Sequence, residues 1–309
     1  MSNSNCSITV HESFSRVQLS VYMPVLVLGI VLNVLALWVF CCKLGKWTET
    51  SVYMVNLAAS DCLMLFTLPF KTLSQFQKLK VDGWCLVVES VYFISRFMSI
   101  GMITTIAADR YLAIKHPLKA KALRSPLKAA FASGFLWIVI ICEISLIKSL
   151  ENRRQDLCFE KSSEKPSVIT LCVIITEFFI PLVILSYCSV QIIAELMRNK
   201  NENCHREKLI RKAVYIVSAN MAVFIVCFLP LHLGHLLRFI MDSLKSNCSA
   251  IQSINNFVHF ASILANTNCC LDAICYYFVN KEFEEASSNL AKSKSGASED
   301  AEIELSNVT

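Results

Sequence analysis

The chain has 309 residues, 55% of them hydrophobic and 17% charged, with a mean hydropathy of +0.52 and a net charge of +5. This balance excludes an ordinary water-soluble domain, and seven glycines and seven prolines are too few for a Gly/Pro-rich disordered chain. The positive charge calls for no nucleic acid, because basic loops beside anionic membrane lipid account for it.

In chain order, residues 1–17 are polar, with no basic stretch leading into a short apolar core. No cleavable signal is therefore expected. Apolar runs of about 20 residues, enough to cross the hydrocarbon, are predicted at 18–40, 51–75, 85–110, 127–147, 168–196, 212–240 and 254–279. The fold class is an all-α membrane protein: a seven-helix bundle over 18–280, a short amphipathic eighth helix on the membrane surface at 281–291, and a polar cytosolic tail at 292–309. Loops on the carboxy-terminal side carry 17 Lys and Arg, and those on the other side carry 9. The positive-inside rule then places residues 1–17 outside the cell and the tail in the cytosol of a multi-pass plasma-membrane protein.

The third span reads "ESVYFISRFMSIGMITTIAADRYLAI", with Arg96 in its middle. An unpaired charge at that depth costs at least ~2.5–3.5 kcal/mol. At 1.5 Å per residue, Arg96 lies roughly 16 Å below Cys85 and roughly 21 Å above Arg110. Glu89, Tyr92, Phe93, Arg96 and Ile100 share one helical face. One reading is a cavity open to the outside with a cationic floor. The other is an internal ion pair of Arg96 with Glu89 or Glu143. Lys71 follows Pro69 near the outer end of the second span. His232, His235 and Arg238 follow Pro230 in the sixth, and Arg153 and Arg154 occupy an outer loop. Guanidinium groups take carboxylate or phosphate in a fork, most strongly where water is excluded. Tyr92, Phe93, Phe97 and Phe239 supply apolar walls. The pocket reading thus predicts a small anionic ligand with an apolar or aromatic body. Arg238, Arg153 and Arg154 also suit a snorkelling or solvated role, and His232 a structural one.

Of 15 cysteines, only Cys6, Cys85, Cys158 and Cys248 face the oxidising side by this topology. Cys85 opens the third span and Cys158 sits in the second outer loop, so that pair closes readily. Cys6 with Cys248 would tie the amino terminus to the third outer loop. Spacing does not fix the connectivity. Two glycosylation sequons, at Asn5 and Asn247, lie outside.

Motifs in order along the spans give a resemblance: "GIVLN" with Asn33, "NLAASD" with Asp61, Cys85 and then "DRY" at Asp109-Arg110-Tyr111, Trp137, "FFIPL" with Pro181, "CFLP" with Phe228 and Pro230, and "NCCLDAICY". Together they resemble the rhodopsin-like G-protein-coupled receptors over nearly the whole chain. "LALWVFCC", "KWTET", "FLPLHLG" and "NCCLDAICYYFVNKEFEEA" look like one small branch, that of receptors thirty-five and fifty-five, near the nucleotide and lysophospholipid receptors. The first two stretches favour thirty-five, whereas Lys71 and Glu89 look more like fifty-five; a thirty-five-like chain is the preferred reading. The resemblance implies kynurenate-like aromatic acids or lysophospholipids as ligands. It implies inhibitory or twelve/thirteen-type G-proteins as partners, with arrestin recruited to phosphorylated Ser287, Ser288, Ser293, Ser295 and Ser298. Tyr92 stands where amine receptors carry aspartate, which argues against an amine.

Asp61, Ser99, Asn33, Asn268 and Asp272 could form a polar cluster in mid-membrane. In the family such a cluster binds sodium, and oxygen donors suit a hard cation; a hydrated network or a protonated Asp61 is the alternative. No other cofactor is expected. The resemblance also implies that Asp109 restrains Arg110 at rest and that the sixth helix swings outward on activation. An acid at the foot of the sixth helix would add a second clamp, but Glu207 stands too far upstream, so a loose lock with basal activity is expected. "DAICY" has Asp272-Ala273 where "NP" is usual, which removes the proline from the seventh helix. Ser189 replaces a usual tyrosine, and Tyr276 is expected to carry more of the activation. The competing class is a transporter for an organic anion, which would show internal repeats and glycine-interrupted spans. Neither is evident. No Gly-x-Ser-x-Gly or His-Glu-x-x-His motif suggests an enzyme.

Overall fold

In hydrocarbon a backbone N–H or C=O has no water to satisfy it, so an apolar run must close its hydrogen bonds within a helix. The computed structural model describes residues 12–43, 47–150, 157–159, 168–198, 204–244 and 246–275. Within them, seven helices are long and apolar enough to cross a membrane: Arg16–Cys42, Glu49–Gln77, Gly83–Lys115, Pro126–Leu150, Val168–Arg198, Ala213–Ser243 and Cys248–Cys275. Most boundaries move by a few residues, and the third span runs on to Lys115. The seventh span begins at Cys248, and the sixth is the membrane part of a longer helix, Cys204–Ser243. Residues 281–291, where the eighth helix is expected, the tail and Cys6 lie outside the described residues.

Local chemistry sets the helix ends. Thr48, Asp82 and Asn247 are N-caps whose side-chain oxygens accept from the backbone of Ser51, Cys85 and Ala250. The fifth span is interrupted by a π-helical turn, Ile175–Phe179, directly before Pro181. The seventh departs from regular helix at Thr267, whose N–H bonds Leu264 O at 3.1 Å. The irregularity thus precedes Asp272 and needs no proline.

The third span is the hub, packing on the second, fourth, fifth and sixth, while the first packs on the second and the seventh on the sixth. Met98, Ile100, Met102 and Ile103 are fully buried on it. Gly101 lets the fourth span approach: a Cβ there would meet Leu136 Cδ2 at 2.8 Å. The outward faces carry Phe66, Phe131, Phe135 and Val183, each more than 60% exposed, as a lipid-facing belt requires. At the end of the bundle that holds Cys85, residues 157–159 of the following loop are stitched down by the Cys85–Cys158 disulfide, by Cys158 N–H to Leu79 O and by an isolated bridge between Lys80 and Leu157.

Candidate functional site

Two buried cations meet at one phenol. Lys71 Nζ donates to Tyr92 OH at 2.8 Å and to Ser262 Oγ at 2.9 Å. Arg96 Nη2 donates to the same Tyr92 oxygen and, at 3.0 Å, to Asn266 Oδ1. Both cations also lie over the Tyr92 ring, at 4.4 and 4.5 Å from its centroid, where the ring quadrupole offsets part of their charge. Asn266 donates on to Tyr22 OH at 2.5 Å, joining the first span to the network. The described residues bring only neutral oxygens into contact with Lys71 and Arg96 and give neither an ion pair with a carboxylate. Arg96 Nε is buried with no acceptor among them.

The internal ion pair is therefore not what forms. Glu89 turns away from Arg96: its Oε2 pairs with Lys148 of the fourth span at 2.5 Å, and its Oε1 accepts Phe159 N–H at 2.7 Å. Seven residues separate Glu89 from Arg96, roughly 10 Å along a helix, while Lys148 lies directly across from Glu89. Glu143 instead takes the Thr176 hydroxyl at 3.3 Å. Phe159, held at φ 63° beside the disulfide, lays its ring edge-on to Tyr92 at 5.5 Å and 6.0 Å from Lys71 Nζ. Glu89 thus anchors an aromatic roof over the cation pair. It also lies near the sulfurs of Cys85 and Cys158, but these are bonded to each other and offer a metal no thiolate.

The other expected pocket residues divide. Phe93 packs edge-on against Tyr92 at 5.3 Å. His232 bonds Phe228 O and stacks on Phe178 at 4.7 Å, which in turn stacks on Phe224. An aromatic column therefore links the π turn of the fifth span to Phe228 in the sixth, whose helix contains Pro230. Arg238 pairs with Asp242 at 2.9 Å and reaches Asn255, so its charge is neutralised apart from the cluster. Arg154 lies outside the described residues. Sequence reasoning missed Tyr22, Ser262, Asn266 and Phe159, whose neutral side chains carry no individual signal. It also missed His259, which lies with His235 in electrostatic reach of Lys71.

Deeper in the bundle, Ser99 donates to Asp61 Oδ1 at 2.8 Å, and Asn268 to Asp272 Oδ2 at 2.7 Å. Asn33 donates to Gly29 O and Cys269 O. Asn33 Oδ1, Asp61 Oδ2, Asn268 Oδ1 and Asp272 Oδ1 are all buried without a partner among the described residues. Every one is an acceptor, so the chemistry left over is that of a cation or proton site.

At the opposite end the expected restraint of Arg110 by Asp109 is corrected. Arg124 grips Asp109 with two hydrogen bonds, 2.8 and 3.0 Å, and lies 3.5 Å from Glu49. Burial alone would lower the Arg124 guanidinium, but Asp109 and Glu49 raise it above its ordinary value. Arg110 instead donates to Thr50 Oγ1 of the second span. Consecutive residues diverge by roughly 100° around a helix, so Asp109 faces the loop while Arg110 faces the bundle. Tyr111 reaches Tyr187 and His116, and Ser189 bonds back to Leu185 O. Trp137 donates to Asn56 at 3.0 Å, tying the fourth span to the second. Asn247 is exposed at the amino-terminal end of the seventh span, where Cys248 is disulfide-bonded. Asn5, Tyr276 and the tail serines lie outside the described residues.

The model of the 7 transmembrane receptor (rhodopsin family) matches residues 32–276. The chain belongs to that family. Among curated proteins, this receptor is 39% identical to G-protein coupled receptor 35 of Homo sapiens, over 85% of this chain and 83% of the relative. It is 35% identical to G-protein coupled receptor 55 of Homo sapiens, over 89% and 88%. It is 32% identical to lysophosphatidic acid receptor 6 of Gallus gallus, over 91% and 95%. The order of the first two agrees with the preference read from "LALWVFCC" and "KWTET". The relatives are receptors, so the receptor is not an enzyme, and the transporter alternative finds no support among them.

Proposed function

We propose that this is a cell-surface receptor, amino terminus outside, for a small anionic ligand, coupling ligand binding to heterotrimeric G-proteins through outward movement of the sixth helix. The observation that carries the ligand class is the pair Lys71 and Arg96, buried side by side on Tyr92 with neutral hydrogen-bond partners only, and with Arg96 Nε unmatched, among the described residues. A carboxylate or phosphate entering there would replace neutral acceptors by a charged one, roughly doubling the strength of each hydrogen bond. Phe93 and Phe159 provide the apolar wall for its body. Kynurenate-like aromatic acids and lysophospholipids both meet this description, and the lysophosphatidic acid receptor among the relatives adds weight to the second. Inhibitory or twelve/thirteen-type G-proteins and arrestin are the proposed partners.

The mid-membrane oxygens fit a sodium ion. Asn33, Asp61, Ser99, Asn268 and Asp272 would hold it, and its charge would tie the second and seventh spans together in the resting packing.

The test is G-protein activation in cells expressing wild type or Arg96→Leu at matched surface levels, challenged with kynurenate-like acids and with lysophosphatidylinositol. A charged hydrogen bond is worth about 1.5–3 kcal/mol, so Arg96→Leu is expected to lower potency by roughly 10- to 100-fold. Unchanged potency in the variant would reject the cation pair as the anion site.

A further inference from the structure

The first span ends in a π-helical turn, Val39–Lys43, that contains two consecutive cysteines. Phe40 turns inward and is buried in the same core cluster as Tyr53 and Met54 of the second span. Cys41 and Cys42 turn outward, and both are exposed free thiols. Their depth follows from two observations. Cys42 is the last residue of the apolar span Arg16–Cys42. Trp38 and Trp47, 49% and 50% exposed, bracket the pair as indoles do at a membrane–water interface. Above the thiols, Val31 and Leu35 continue the stripe of Trp38 and Cys42 at helical spacing, and both are exposed toward lipid. Among the described residues the other exposed thiols, Cys142 and Cys172, lie within the fourth and fifth spans rather than at the cytosolic boundary.

We propose that Cys41 and Cys42 form an S-acylation site, carrying long-chain fatty acyl groups whose hydrocarbon lies along Val31, Leu35 and Trp38. Exposed cysteines at the edge of a membrane span are the usual acceptors of this modification. The acyl donor is an acyl-coenzyme A and the catalyst a membrane-bound thiol acyltransferase. The cysteine sulfur attacks the acyl carbonyl carbon, and the carbon–sulfur bond to coenzyme A breaks. The cysteine proton leaves with coenzyme A as its thiol, and nothing is oxidised or reduced. Each chain adds membrane affinity with every CH₂ it buries, which would pin the cytosolic end of the first span in the inner leaflet.

The proposal rests on the cytosolic placement of this end of the bundle. The test uses the full-length receptor expressed in mammalian cells, with free thiols blocked and thioesters then cleaved by hydroxylamine. The liberated thiols are counted by mass-tagged maleimide. Wild type is expected to show one or two hydroxylamine-dependent tags, Cys41→Ser/Cys42→Ser none, and Cys142→Ser the wild-type number. No tag on wild type, or tags that survive in the double variant, would overturn the site. In parallel, impermeant maleimide is applied to the receptor with its thioesters cleaved and, separately, to unacylated protein. Labelling of Cys41 and Cys42 without permeabilisation would show instead that the orientation had failed.

Discussion

Glu89 changes meaning between the sequence and the structure. On a helical wheel it shares a face with Arg96 and looks like a ligand contact or an internal counter-ion. In space it holds Lys148 and the Phe159 amide, so its role is to keep the roof in place. Removing one member of a buried pair costs about 3–5 kcal/mol because the other charge is stranded. Glu89→Ala is therefore expected to lower the melting temperature of the detergent-solubilised receptor by several degrees. Glu89→Gln with Lys148→Met, which strands no charge, is expected to regain most of the loss. Equal losses in the single and double variants would show that the pair contributes nothing. The cations were legible in the sequence because a charge inside an apolar run stands out. Their partners were not, since Ser262, Asn266 and Tyr22 are ordinary residues on other helices and acquire a role only once the seventh and first spans close on the third.

At the scale of elements, the end of the bundle that carries Asp109 and Arg110 shows how a local motif can mislead. Asp109 and Arg110 are neighbours in sequence and diverge in space, so the loop supplies Arg124 to one and the second span supplies Thr50 to the other. Opposite effects are expected. Thr50→Val releases Arg110 from the second span and should raise ligand-independent nucleotide exchange by about two- to tenfold, for one hydrogen bond worth ~0.5–1.5 kcal/mol. Arg124→Ala frees Asp109 to turn toward Arg110 and should lower exchange. The same direction in both variants would reject this division of partners. Seven apolar runs announced seven helices, and the cap at Asp82 lies three residues before Cys85 where the third span was expected to open. The π turn at Ile175–Phe179 carried no such signal, because a one-residue excess in a helix leaves the hydrophobic run unbroken.

The whole molecule is held by polar contacts that cross it. The leftover oxygens of Asn33, Asp61, Asn268 and Asp272 belong to the first, second and seventh spans, so a sodium ion there would report on the packing of all three. In competition binding with a purified receptor, replacing sodium by a large organic cation is expected to raise agonist affinity by about fivefold or more. Asp61→Asn is expected to abolish the difference. Identical affinity in both salts for wild type would count against the ion.

Asn33 also sets an order of events in synthesis. Its amide bonds the carbonyl of Cys269, 236 residues later in the chain. A ribosome adding roughly 5–20 residues per second needs about 10–50 s to cover that distance. Throughout that interval the first helix is already in the bilayer while the carbonyl awaiting its amide has not yet been made. The first span therefore stays a provisional neighbour of the second until the seventh arrives. A pause in translation before residue 269 would prolong the window in which the Asn33 amide has only its own helix's Gly29 carbonyl to bond.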